Sequence, residues 1–219
     1  MNYFTQAVSY MANNPGVVTS RVLEHLGYSL LAVLIAVAIG LPLGVAIGHT
    51  QRGSQVVLAL SGALRALPTL GLLTWLTLAL SFGIRMPLVP ATIVLVVLGI
   101  PPVLAAAQSG VASIPVPISD AARAMGNSPW QVVVGVELPL AAATIIGGIR
   151  SCALQVIATA TIAAYIGLGG LGRFLLDGIA LRDYPQMLAG AIAVTVVALV
   201  IDAVLVVLQK YAQPKGLHS

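Results

Sequence analysis

Long uncharged apolar runs dominate this 219-residue chain and constrain its fold more than any other feature. A helix needs about 20 apolar residues to cross a bilayer, and runs of that length recur along the sequence. Hydrophobic residues make up 59% of the chain and charged residues only 7%, whereas a typical soluble domain is about 25% charged. The composition therefore predicts an all-α, polytopic membrane protein with the lipid bilayer as its surroundings.

About five membrane-spanning helices can be placed, each to within about 2–4 residues at its ends. They lie near Leu26–Ile47, Val56–Phe82, Leu88–Val111, Leu140–Ile166 and Met187–Leu208. Gly40, Pro42 and Gly44 are expected to loosen the second half of the first span. The pair Pro101-Pro102 is expected to kink the third span, because proline cannot donate its helical hydrogen bond.

The predicted organisation is one membrane domain, residues 21–209, with an interfacial segment at 1–20 and a short cytoplasmic tail at 210–219. Residues 1–20 lack the basic and apolar regions of a cleavable signal peptide. An odd number of spans places the termini on opposite sides, and the positive-inside rule favours an outside N-terminus. The basic residues expected inside are Arg52, Arg65, Arg123, Arg150, Lys210 and Lys215; those expected outside are Arg21, Arg85, Arg173 and Arg182.

Several classes of function find no support in the residues. The scattered basic residues and the net charge of +4 do not indicate nucleic-acid binding. His25, His49 and His218 share no spacing typical of metal ligands, so no metal site is expected. Cys152 is the only cysteine and lies in an apolar run, which favours an inert buried thiol.

A polar segment, Ser119–Pro139, interrupts the apolar runs and is predicted to face water as a helix-turn-helix. Pro115 and Pro117 end the third span ahead of it. Ser119 is expected to cap a short helix, with Asp120 in its first turn near the positive end of the helix dipole.

Glycine and proline then divide this segment. Gly126 is a natural C-terminal stop, and Ser128 with Gln131 forms a potential capping box for a second short helix. Pro139 is expected to close the unit before the fourth span. By spacing alone, an ordinary interfacial loop fits equally well.

The pattern Asp120-Ala121-Ala122, three residues, Gly126, then Leu138-Pro139 resembles the EAA loop of permease subunits of bacterial ABC importers. Here Asp120 stands where the family usually has glutamate. The resemblance implies that this loop, residues 115–139, carries the coupling helices that contact the ATPase subunit. The implied contact residues are Ser119, Asp120, Ala121, Ala122, Arg123, Met125, Gly126, Asn127, Glu137 and Pro139.

Two further stretches narrow the resemblance to the glycine betaine/carnitine/choline, or osmoprotectant, branch. They are ALPTL at residues 66–70 and ATATIAAYIGLGGLG at residues 158–172. The resemblance covers about Arg21 to Leu208 and implies the type I importer fold of methionine-type permeases in the bacterial inner membrane. Candidate residues of the translocation path are Pro68, Pro101, Thr159, Thr161 and Tyr165.

The implied partners supply the chemistry that this chain lacks. The sequence contains no G-x-x-x-x-G-K-[ST] motif, so ATP and Mg²⁺ are expected on separate ATPase subunits and no cofactor on this chain. The resemblance also implies a second permease chain, identical or different, and an extracytoplasmic binding protein. The chain itself is expected to be non-catalytic.

Quaternary ammonium groups are typically held in aromatic cages, and only 5% of this chain is aromatic. Trp75 and Tyr165 are isolated, so the cage for glycine betaine, carnitine, choline or proline betaine is expected on the binding protein. Two alternatives remain: a permease for another amino-acid-like substrate, such as methionine, and an ion-coupled secondary transporter.

The second alternative depends on the ionisable residues in the apolar runs, Arg65, Arg150 and Asp202, because charges within a membrane are often functional. A structural role is the simpler interpretation, with Arg65 near the interface or its long helix tilted, and Asp202 paired with an arginine. Glu137 is expected to pair with Arg123 or with an arginine of a partner.

Overall fold

The computed structural model describes residues 2–212, except for the side chains of Val56, Leu58, Leu60, Ser61 and Arg65. The predictions for the Arg65 side chain, for Lys215 and for His218 therefore lie outside the described residues. Every regular element in the described part is helical, which confirms the all-α prediction. The elements are α1 Tyr3–Asn13, α2 Pro15–Thr50, α3 Ser54–Ala66, α4 Thr69–Ala79, α5 Leu88–Ala112, α6 Val116–Ala124, α7 Pro129–Val132, a π-helical turn Val133–Glu137, α8 Leu138–Ala160, a 3₁₀ segment Thr161–Ile166, α9 Gly172–Leu181 and α10 Tyr184–Tyr211.

Within the described part of the chain, four helical segments are long and apolar enough to cross a membrane. They are Pro15–Thr50, Leu88–Ala112, Pro129–Ile166 and Tyr184–Tyr211. These segments contain the first, third, fourth and fifth predicted spans. The first and third segments begin 11 residues before their predicted starts at Leu26 and Leu140. Helix α2 and the helix through α7 and α8 are therefore longer than the apolar runs from which they were predicted.

The second predicted span, Val56–Phe82, is wrong as a single helix. The chain forms α3 and α4 instead, with a break at Leu67 and Pro68. Proline lacks the N–H that a helix interior needs and disfavours helical backbone in the residue before it. At about 1.5 Å per residue, the 11 residues of α4 are too short to cross the hydrocarbon core.

The glycines of α2 do not loosen that helix, contrary to the prediction. The helix continues to Thr50, and its glycines allow α5 to approach closely. A Cβ atom on Gly44 would lie 2.6 Å from the carbonyl oxygen of Leu104, and one on Gly48 would lie 2.8 Å from that of Gln108. Small residues that let helix backbones approach are characteristic of helix packing in membranes.

Two compact units divide the chain. One comprises Met1–Leu34, Leu67–Val97 and Ala153–Ile201; the other comprises Ile35–Ala66, Leu98–Cys152 and Asp202–Ser219. We call them the first and second units. In the first, Leu171, Phe174 and Ala193 form a buried core, and the ring of Tyr10 meets that of Phe174 edge-on at 6.1 Å. The core of the second unit consists of Val45, Ala107, Val111, Val133, Ala141 and Ile145.

Candidate functional site

Helix α6 forms the first half of the predicted coupling loop, residues 115–139, and has one buried and one exposed face. Ser119 and Ala122, one turn apart, are its two buried residues. The opposite face is open to solvent and carries Asp120, Ala121, Arg123 and Ala124. Met125, which follows the helix, is 78% exposed. The helix is thus anchored on one side and free to meet a partner on the other.

The turn after α6 has the predicted glycine stop. Gly126 has a φ of +89°, a left-handed conformation that glycine adopts without strain, and its N–H donates to the Arg123 carbonyl at 2.9 Å. The side chain of Asn127 donates from Nδ2 to the Ala122 carbonyl at 2.9 Å. These two hydrogen bonds fix how the chain leaves α6.

The capping box at the start of α7 is confirmed. The Ser128 N–H donates to Oε1 of Gln131 at 2.7 Å, and the Gln131 N–H donates to Oγ of Ser128 at 3.4 Å. Each residue therefore satisfies a backbone donor that the first turn of a helix leaves unpaired. Trp130, in the same turn, is 74% exposed.

Pro139 does not close the coupling loop, so that prediction is wrong. The helix that begins at Pro129 runs through a π-helical turn, Val133–Glu137, into α8. In this wider turn the Leu138 N–H donates to the carbonyl of Val133, five residues earlier. The π turn loosens the helix where the ring of Pro139 would otherwise meet the preceding turn.

The roles predicted for Ser119 and Asp120 at the helix start are also wrong. Helix α6 begins at Val116 with Pro115 as its N-cap, because Pro117 is well suited to a first helical turn. Ser119 therefore lies inside the helix, and Asp120 lies beyond the first turn. Asp120 instead accepts a hydrogen bond from Arg123 at 3.2 Å on the exposed face.

Glu137 is buried, 4% exposed, and its partners are not the ones predicted. Nδ1 of His49, near the end of α2, donates to Oε2 of Glu137 at 2.7 Å. The hydroxyl of Ser119 donates to Oε1 at 3.3 Å. The prediction of an Arg123 partner within the chain fails, because Arg123 pairs with Asp120.

The proposed coupling residues thus fall into two groups. Asp120, Ala121, Arg123, Met125, Gly126, Asn127 and Pro139 are exposed, whereas Ser119, Ala122 and Glu137 are buried. The exposed group can contact a partner directly. The buried group can only support that surface from within. Sequence reasoning missed His49, because a single histidine at the end of an apolar run was weighed only as a metal ligand.

The proposed pathway residues differ in their local surroundings. Thr159 lines a space of only about 10 Å³ with residues of α4 and α5, too small for an organic ligand. Thr161 donates to the carbonyl of Ala158 at 2.9 Å, and Tyr165 is 61% exposed. Pro68 is exposed at the break between α3 and α4, and Pro101 is buried within α5.

Arg150 and Asp202 form the arginine–aspartate pair that the sequence suggested. The Arg150 guanidinium donates from Nε to Oδ1 of Asp202, and from its second terminal nitrogen to Oδ2 at 2.8 Å. This two-pronged geometry satisfies both carboxylate oxygens and joins α8 to α10 within the second unit. The pair neutralises its own charges.

A second polar cluster lies in the first unit and was not anticipated. Glu24 accepts a hydrogen bond from the Gly170 N–H at 2.7 Å and another from Arg21 at 3.0 Å. The next residue of α2, buried His25, bonds to the carbonyl of Ile157 in α8 at 3.0 Å and to the hydroxyl of Tyr28 at 2.8 Å. The Glu24 contact secures the glycine-rich segment against α2 beside a cavity of about 700 Å³, and the His25 contact joins α2 to α8.

Within residues 2–212, no three histidine, cysteine or acidic side chains lie close enough together to hold a metal ion. The polar side chains of the coupling loop are engaged with one another, as described above. The predicted coupling loop therefore has hydrogen bonds on its buried side and an exposed surface on the other.

Comparisons with known proteins identify the family. The model of binding-protein-dependent transport system inner membrane components matches residues 36–216. The chain is 32% identical to the glycine betaine/carnitine/choline transport system permease OpuCB of Bacillus subtilis, covering 98% of this chain and 97% of that protein. It is 34% identical to the osmoprotectant import permease OsmW of Salmonella typhimurium, covering 96% and 99%. It is also 34% identical to the carnitine transport permease OpuCB of Listeria monocytogenes, covering 90% and 88%.

A solved structure supports the fold. The inward-facing MetNI methionine ABC transporter superimposes with a TM-score of 0.77 over 90% of this chain and 97% of that one, at 21% identity. At that identity the likeness concerns the fold, which is that of an importer membrane subunit. Together with the family match over residues 36–216, it leads to one conclusion: the chain belongs to the family of binding-protein-dependent transport system inner membrane components.

Proposed function

We propose that this chain is the permease subunit of an ATP-driven importer that carries a small quaternary-amine osmoprotectant: glycine betaine, carnitine, choline or proline betaine. One observation carries the proposal: the chain is similar over nearly its whole length to permeases of such systems in three bacteria. Identity of 32–34% over more than 85% of both chains leaves no large part of a relative unmatched.

The partners follow from the same proposal. ATP and Mg²⁺ bind separate ATPase subunits, because the sequence has no phosphate-binding loop motif. An extracytoplasmic binding protein delivers the substrate, and a second permease chain, identical or different, completes the pathway. The N-terminus lies outside and the C-terminus in the cytoplasm, an orientation that requires α3 and α4 to cross the membrane together as the remaining span.

The exposed face of α6 supports the proposed contact with the ATPase. A helix that presses on another subunit needs an accessible face and a firm attachment on the other side. Helix α6 has both: Asp120 and Arg123 are open to solvent, while Ser119 and Ala122 are buried. The adjoining turn, with Gly126 and Asn127, holds the helix at a defined angle by hydrogen bonds.

The two alternatives receive less support. A methionine-like substrate is suggested only by a fold shared at 21% identity, and fold does not determine substrate. An ion-coupled transporter would need titratable groups available to the transported ion. Arg150 and Asp202 instead satisfy each other through two hydrogen bonds.

The direct test is uptake of labelled glycine betaine by proteoliposomes that contain this chain, its ATPase, its binding protein and any second permease. We expect uptake that requires ATP and every component. ATP hydrolysis stimulated by the binding protein, without uptake of any of the four candidate solutes, would retain the importer and reject the substrate. Uptake that persists without ATPase would contradict the coupling mechanism.

A further inference from the structure

Glu137 occupies a position where the helix would ordinarily place an apolar residue. Val133, Glu137, Ala141 and Ile145 follow one another at intervals of four, and all four are buried. The other three belong to the apolar core of the second unit. A carboxylate in such a stripe is costly unless hydrogen bonds satisfy its oxygens. Its partners therefore define what this residue is for.

Those partners come from two other elements. His49 lies near the end of α2, 88 residues before Glu137, and Ser119 lies 18 residues before it in α6. One donates to each carboxylate oxygen, at 2.7 Å and 3.3 Å. A single side chain thus joins the end of α2, the buried face of α6 and the π turn. We call these three residues the Glu137 cluster.

Glu137 is held by His49 and Ser119 and not by the nearby Arg123. Arg123 lines the same cavity of about 260 Å³ but pairs with Asp120 on the exposed face. Among the described residues, His49 is the only basic side chain within ion-pair distance of Glu137. Leaving a buried carboxylate without hydrogen-bond donors is unfavourable, so the two donors stabilise the cluster.

The π turn adds a second reason to assign the cluster a role. Such turns are rare, occur mainly as single insertions in α-helices and are frequent at functional sites. Here the turn spans Val133–Glu137 and ends on the clustered carboxylate itself. It therefore lies between the attachment of α6 and the start of α8.

We propose that Glu137 is a positioning residue that, with His49 and Ser119, attaches coupling helix α6 to the end of α2, so that displacement of α6 moves the membrane helices. This inference rests on the proposed function, because it takes α6 as the surface that meets the ATPase. Without the cluster, α6 would still be present but would move independently of α2 and α8.

The first measurement is the mobility of α6 itself, which does not depend on any partner. A spin label is placed at exposed Met125 through Met125→Cys in a Cys152→Ala background, in the full-length chain reconstituted in nanodiscs. Glu137→Ala is expected to increase label mobility, and Glu137→Gln to increase it less, because the amide keeps one acceptor oxygen. The matched control is Thr50→Ala: Thr50 also lies near the end of α2, but its hydroxyl donates to Ala46 of its own helix.

The second measurement is the number of substrate molecules transported per ATP hydrolysed by the reconstituted importer. Glu137→Ala and His49→Ala are each expected to lower this ratio about tenfold, and the double variant is expected to be no worse than either single variant. Ser119→Ala should also lower the ratio, because Ser119 is the one residue that α6 contributes to the Glu137 cluster. ATPase subunits should still co-purify with each variant.

The outcomes separate the cluster from the proposed function. Greater mobility together with a lower transport ratio supports the proposal. Unchanged mobility in Glu137→Ala, or an unchanged transport ratio despite greater mobility, overturns it. Additive losses in the double variant would also overturn it, because the residues would then act separately. If the unmodified chain does not use an ATPase at all, the proposed function fails, while the mobility measurement still decides whether the attachment exists.

Discussion

At the residue scale, Arg150, Asp202 and Glu137 find hydrogen-bond partners within the protein. Arg150 and Asp202 satisfy each other through two hydrogen bonds. Glu137 takes one donor at each oxygen. The bilayer interior offers little water as a hydrogen-bond partner, so hydrogen bonds within the protein stabilise such polar groups. These three ionisable residues thus join one helix to another.

The Arg150–Asp202 pair yields a first prediction. Asp202→Asn removes the charge that faces the guanidinium, so we expect a lower thermal unfolding temperature of the purified chain in detergent. Arg150→Gln should have a similar effect, and Arg150→Gln with Asp202→Asn should recover part of the loss, because neither charge then remains without its partner. A double variant less stable than both single variants would contradict the pairing.

Gly126 yields a second prediction at the same scale. Its φ of +89° cannot be adopted by proline, and its N–H donates to Arg123. Gly126→Pro should therefore leave the chain inserted in the membrane but uncouple ATP hydrolysis from uptake. Gly126→Asn should retain more coupled uptake, because asparagine tolerates left-handed backbone. Measured uptake per ATP that is normal in the proline variant would show that this turn does not matter.

At the element scale, helix contacts depend on small residues and on the places where helices break. Gly44 and Gly48 admit the backbone of α5 beside α2, and Pro68 separates α3 from α4. At Pro139 the helix does not break, because the π turn before it leads directly into α8. One proline, Pro68, thus lies where a helix breaks, and another, Pro139, lies within a continuous helix.

Close packing of α2 against α5 yields a third prediction. Gly44→Ala would place a methyl group 2.6 Å from the Leu104 carbonyl oxygen, so the helices must separate or distort. We expect a loss of about 1–3 kcal/mol in the free energy of unfolding, as for other overpacked sites. Gly62→Ala is the control, because a Cβ there meets nothing within 4 Å. It should leave stability unchanged or raise it. Equal effects from both substitutions would refute the close contact.

The same elements show what could be predicted from sequence. Apolar length and composition predicted the helical class, and the Ser128–Gln131 spacing predicted its capping box, because both depend on local chemistry. The partner of Glu137 could not be predicted, since His49 is 88 residues away and reaches it only through packing. The break at Pro68 follows from the chemistry of proline itself, whereas the helix continues past Pro139 beside a π turn that no sequence rule predicts.

At the scale of the whole molecule, the long helices connect the surfaces that the proposed function requires. Helix α5, Leu88–Ala112, is long and apolar enough to span the bilayer. Ile84 lies just before it and Met125 lies after it, beyond α6, and these residues are 73% and 78% exposed. Under the proposed function, α5 crosses the bilayer between them, so only one of the two residues faces the ATPase.

The most direct test of the account is photo-crosslinking of the assembled importer from a photoreactive side chain placed at Met125 or, as the control, at Ile84. The account predicts that Met125 crosslinks to the ATPase subunit and that Ile84 does not. Crosslinking to the ATPase from Ile84, with none from Met125, would contradict both the assignment of α6 as the coupling helix and the proposed orientation of the chain.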